Sequence, residues 1–166
     1  MQDMKRWILI IAMGIVSTIT YGQKQIPEID IKDLNGKVHT VEGVRQEGKA
    51  LVVCFFATWC KPCLQEMNAI AEVYEDWNEE DGFELIAISI DDSRSSAKVK
   101  SVVNGNDWPF KVFTDSNSEL KRALKITSIP YTLILNKKGE VVYEKTSYTV
   151  GAEYELFEKF KKIDSQ

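Results

Sequence analysis

The sequence predicts an α/β fold, with a central mixed β-sheet flanked by helices on both faces and an N-terminal β-hairpin extension. Three observations carry this. Residues 50–56 and 83–90 are apolar runs rich in Val, Ile and Phe, the pattern of strands buried on both faces. Between them Leu64, Met67, Ile70, Ala71, Tyr74 and Trp77 recur at three- and four-residue steps, the period of an amphipathic helix. Residues 131–135 and 141–145 then flank Asn136-Lys137-Lys138-Gly139, a strand–turn–strand pattern. Strand–helix–strand followed by helix, hairpin and helix closes into one mixed sheet covered on both sides.

The elements follow in order. Lys5 and Arg6 precede an apolar run of about 13 residues, 7–19, and then Thr20-Tyr21-Gly22. A basic start, a short apolar stretch and small residues near a cleavage point make a secretory signal, so residues 1–22 are assigned to it and residues 23–166 to the folded domain. The run falls short of the roughly 20 residues of a comfortable membrane span, although left uncleaved it would anchor the chain. The protein is therefore expected to be exported, to a bacterial periplasm. Residues 29–31 and 38–41 flank Asn35-Gly36 and predict the short hairpin. The strand at 50–56 leads into Cys60 and a helix over 62–78, with Pro62 in its first turn, where a missing N–H costs nothing. After the strand at 83–90, Asp91, Asp92 and Ser93 offer caps for a helix carrying Val99, Val102 and Val103 and ending at Asn104-Gly105-Asn106. A short strand over 110–113, a short helix over 116–125 and the hairpin complete the sheet. A last helix then turns Tyr154, Phe157, Phe160 and Ile163 inward.

With 166 residues, 44% of them apolar, the chain suits a single domain with a proper core. The formal charge is -4 and the basic residues are dispersed, so no nucleic-acid partner is expected. Three cysteines are too few for a disulfide-stapled scaffold.

Cys60 and Cys63 stand two residues apart just beyond a central strand, where open α/β sheets place their chemistry. A structural zinc site would need two such pairs. The remaining candidates are Cys54, inside a strand, and His39, the single histidine, which reads as an ordinary strand residue, so no metal and no cofactor are expected. As an inert staple the pair would close too small a loop to stabilise much. As a redox pair it makes sense. A thiolate at a helix N-terminus is favoured by free N–H groups and the helix dipole, and a second thiol one turn on can resolve a mixed disulfide.

"VVCFFATWCKPC" resembles the signature of the thioredoxin superfamily, and "ITSIPYTLILNKKGEVV" resembles its second half, a proline ahead of a hairpin. The exported TlpA/ResA-like branch is the nearer resemblance. It is carried by the N-terminal signal, by the added stretch "DDSRSSAKVKSVVNGNDWPFKVFTD" and by Cys-Lys-Pro-Cys-Leu-Gln-Glu, and it spans residues 26 to about 163. The resemblance implies a thioredoxin-like fold and a protein-disulfide reductase with Cys60 and Cys63 as the catalytic pair. It also implies a cis Ile129–Pro130 bond facing that pair, and a client-binding surface made by Trp59, Lys61, Pro62, Ile129 and Pro130. Its partners would be disulfide-containing exported proteins, the branch's best-known task being cytochrome c maturation, and a membrane thiol–disulfide electron donor would recharge it. A monomer is expected.

Glu66 matches a glutamate that lies by the active site in that branch. It reads equally as a solvated residue complementing the helix dipole or, on the same face as Cys63, as a proton-transfer group. Cys54 departs from the pattern, standing where the superfamily often has a buried Asp and this branch Asn; a buried thiol is a poor proton relay. Two other functions share the fold: a peroxidase, which would want Thr three residues before its cysteine where this chain has Ala57, and a non-enzymatic peptide-binding module.

Overall fold

The computed structural model describes residues 24–166; the expected signal at 1–22 lies outside the described residues. Among them the chain runs β1 (Ile31–Asp33), β2 (Val38–His39), α1 (Val41–Val44), β3 (Leu51–Phe56), α2 (Lys61–Asp81) and β4 (Leu85–Ser89). It continues through α3 (Ser96–Gly105), β5 (Lys111–Thr114), α4 (Glu119–Ala123), β6 (Tyr131–Leu135), β7 (Val141–Thr146) and α5 (Ala152–Asp164). The strands form one sheet in the order β2-β1-β5-β4-β3-β6-β7. The central strands β3, β4 and β5 are parallel, and β6, β7, β1 and β2 join antiparallel, so the sheet is mixed.

Side-chain alternation along β3 splits the core in two. Val52, Cys54 and Phe56 point to the face covered by α2, α3 and α5, whereas Leu51, Val53 and Phe55 point to the face covered by α1 and α4. Burial on both faces is why this strand reads as a continuous apolar run. On the first face Trp77 of α2 stacks on Phe157 of α5, with ring centres 4.1 Å apart, and Phe83 packs edge-on against Phe160 at 4.9 Å.

Several boundaries differ from expectation, each for a local reason. β2 stops at His39, because the Thr40 hydroxyl accepts from the Gly43 N–H and caps α1, which turns Val41 fully into the core. α2 runs on to Asp81 and ends where Gly82 adopts a left-handed φ of 65°. α4 begins only at Glu119, since the buried Asp115 carboxylate holds the backbone N–H groups of Glu119 and Lys121. In α5 the inward face is Glu153, Leu156, Phe157 and Phe160, whereas Tyr154 is 56% exposed and meets Trp77 only at its ring edge.

Candidate active site

The last β3 residue, Phe56, delivers the chain into a tight turn in which the Cys60 N–H donates to the Ala57 carbonyl at 3.0 Å. Cys60 is the N-cap of α2. Its extended backbone (φ -92°, ψ 95°) aims the sulfur along the helix axis, and Sγ accepts from the Cys63 N–H at 3.3 Å. Cys60 and Cys63 are joined as a disulfide, and Cys54 is free and buried. Cys60 is only 6% exposed, and Cys63 is fully enclosed because α2 lays that side onto β3. The exposed part of the turn consists of Trp59, at 69%, with Lys61 and Pro62.

The Ile129–Pro130 peptide bond is cis. Pro130 is buried and its carbonyl accepts from the Ser147 N–H at 3.0 Å, while half-buried Ile129 packs against the cluster that contains Cys60 and Cys63. The fold thus brings residues from two distant stretches, 57–63 and 129–130, to one end of the sheet.

Glu66 lies three residues beyond Cys63 on the covered side of α2 and is 5% exposed, which removes the solvated reading. The Thr132 hydroxyl, from β6, donates to its Oε1 at 3.3 Å and lies 3.6 Å from Cys54 Sγ. Burial pushes the Glu66 carboxyl up to about 7; the Thr132 hydrogen bond and the Lys145 charge pull against this, and Glu153 adds to it. Burial also pushes the Cys54 thiol well up, with the Glu66 charge adding and the Thr132 contact opposing, so Cys54 stays protonated. A buried carboxyl poised near neutrality, one helical turn beyond Cys63, can take and return a proton; a thiol pushed well up by burial cannot at neutral pH.

Two contributors escaped the sequence reading. Thr132 looks like any strand residue, and only its register opposite Cys54 places it between that thiol and Glu66. Asp91, expected to cap a helix, is instead fully buried and bonded to Thr58 at 2.6 and 2.8 Å. A carboxylate directly after a buried strand was the available signal. His39 pairs with Asp33 at 3.3 Å and its ring meets Phe113 edge-on, within the β1–β2 edge of the sheet.

Comparison with known proteins agrees with this geometry. The model of the AhpC/TSA family matches residues 23–144. A thiol-disulfide oxidoreductase ResA of Bacillus thuringiensis is 32% identical over 121 residues, which are 73% of this chain and 67% of that one. The ResA of Bacillus subtilis is 27% identical over 143 residues, covering 81% of this chain and 77% of the relative. Among solved structures, a thioredoxin-like protein from Porphyromonas gingivalis superposes with a TM-score of 0.74 at 41% identity, over 86% of this chain and 94% of that one. A thiol:disulfide interchange protein DsbE from Chlorobium tepidum gives the same TM-score at 16% identity, over 86% and 96%, a likeness of fold.

Proposed function

Since the chain belongs to the AhpC/TSA family of thioredoxin-fold proteins and is a thiol-disulfide oxidoreductase, we propose that it works through Cys60 and Cys63 as an exported reductant of protein disulfides. The observation that carries this is the Cys60–Cys63 disulfide at the start of α2, with Glu66 enclosed one turn further along the same helix. In the reduced protein, the Cys60 thiolate attacks one sulfur of a client disulfide. A mixed disulfide forms and the client's other sulfur leaves as a thiolate. Glu66 accepts the Cys63 proton, and the Cys63 thiolate attacks Cys60 Sγ. This releases the client's second sulfur, which takes up a proton, and leaves the protein oxidised by two electrons.

Trp59, Lys61 and Pro62 on one side and Ile129 and Pro130 on the other are the surfaces against which a client segment would lie, with an extended peptide pairing along the backbone at Ile129. The partners in this reading are disulfide-containing exported proteins, cytochrome c maturation being one candidate pathway, and a membrane donor that restores the dithiol. Residues 1–22 would direct export to the periplasm; none of the described helices is long and apolar enough to cross a membrane.

Insulin reduction with dithiothreitol tests the activity. The protein should accelerate precipitation of the insulin B chain, and Cys60→Ser should abolish that. Consumption of hydrogen peroxide at a comparable rate would assign the chain to peroxide reduction instead.

A further inference from the structure

The β3–β4 ladder ends at the pair Phe56–Ser89, and the last main-chain bond across it runs from the Ile90 N–H to the Phe56 carbonyl at 2.9 Å. Past that point the two chains separate, and a side chain takes over. Asp91 has no solvent exposure. Its Oδ2 accepts from the Thr58 N–H at 2.8 Å and from the Ser89 hydroxyl at 2.6 Å, and its Oδ1 accepts from the Thr58 hydroxyl at 2.6 Å. The Asp91 N–H in turn donates to Ser89 Oγ at 3.0 Å. A carboxylate withdrawn from water is expensive and persists only where fixed donors satisfy it, and here two of the three donors belong to Thr58, two residues ahead of Cys60.

We propose that Asp91 is a positioning residue for the redox pair: through Thr58 it holds the turn from Ala57 to Cys60, and so keeps Cys60 Sγ aimed at the N-terminus of α2. The turn itself has one main-chain bond, Cys60 N–H to Ala57 carbonyl, which leaves Thr58 and Trp59 to be fixed from outside. Asp91 supplies that fixture by accepting both polar hydrogens of Thr58. Charge-assisted bonds of this kind are stronger than neutral ones and are made before the reaction begins. In the reduced protein the Cys60 thiolate depends on the donor that its sulfur now meets at 3.3 Å, the Cys63 N–H. A loosened turn would lose that alignment, destabilise the thiolate and favour the disulfide, making the protein more reducing.

This inference rests on the redox reading above, and the experiment separates the two. Thr58→Val deletes one hydroxyl at nearly constant volume, Thr58→Ser keeps it, and Asp91→Ala removes the whole fixture. Each purified variant is equilibrated against glutathione buffers, assayed for insulin reduction and melted. Thr58→Val should shift the equilibrium constant about tenfold toward the disulfide, equivalent to about 30 mV, and lower kcat/KM, with Thr58→Ser restoring both. If the unmutated protein neither reduces insulin nor equilibrates with glutathione, the redox reading falls and this inference with it. If it does both, and Thr58→Val has the same equilibrium constant while melting lower, Asp91 merely braces the fold and the inference is overturned. Should Asp91→Ala fail to fold, the Thr58 pair decides alone.

Discussion

Glu66 is the residue whose surroundings matter most for its chemistry. Its carboxyl sits at about 7 because burial penalises the anion more than Thr132 and Lys145 favour it. The pH–rate profile of the resolving step should therefore show a limb near pH 7 that Glu66→Gln removes; an unchanged profile would return Glu66 to a packing role. The same shift predicts a stability effect. The folded state holds a proton that the unfolded chain, with a glutamate near its ordinary 4.5, has already released, so stability declines as pH rises from about 4.5 through about 7. At pH 8 Glu66→Gln should raise the unfolding free energy by up to about 3 kcal/mol, with the gain vanishing below about pH 4.5, as urea titrations at the two pH values would show. Cys54, pushed well up by burial, should react with alkylating agents in the oxidised protein only after denaturation, and mass spectrometry of the labelled peptides reads this directly. The position of Cys54 relative to Cys60 was legible by counting residues. That Glu66 is enclosed was not, because a glutamate near the start of a helix looks the same in sequence whether the sheet covers it or water does.

Among the elements, α2 does two jobs at its two ends. Its N-terminus presents Cys60 and Cys63, and its C-terminal turns anchor it to α5 through the Trp77–Phe157 stack. Trp77→Ala should cost about 3–5 kcal/mol of unfolding free energy, measured in urea, since it empties a site shared by Phe83 and Phe157. The glutathione equilibrium should not move, because 14 residues of helix, about 21 Å, separate Trp77 from Cys63. A coupled change in the two measurements would show that α2 transmits strain along its length. The apolar period of α2 was legible from 64 to 77. Its extension to Asp81 was not, because the last turn carries charged residues outward and is closed by the positive φ of Gly82. α1 was hidden for a related reason: four residues are too few to show a period, and a Thr cap outweighed the strand preference of Val41.

At the scale of the whole molecule the open question is direction. Lys61 and Pro62, the residues between the cysteines, are exposed; Pro62 has no N–H to offer the Cys60 thiolate, and an exposed lysine is screened by salt. Thiolate stabilisation is then modest, and equilibration against glutathione should give a potential near about -270 mV, in the range of a reductant. A value near about -120 mV, that of a strong oxidant, would reverse the assignment to disulfide formation. If residues 1–22 are a cleaved signal, the mature protein should begin near Gln23 and be released by osmotic shock, and full-length chain in the membrane fraction would indicate an anchor. By itself the sequence determined the mixed sheet, the order of its main elements and the cysteine pair at a strand–helix junction. Each of these is written in local period or spacing, which a chain displays before it folds. Only the tertiary structure decided that Glu66 is buried, that Thr132 stands between it and Cys54, and that Asp91 grips Thr58 across the strand ends. Those contacts join residues 33 to 78 positions apart, and a carboxylate's ionisation or a thiol's inertness depends on which side chains the sheet register and helix packing bring around it.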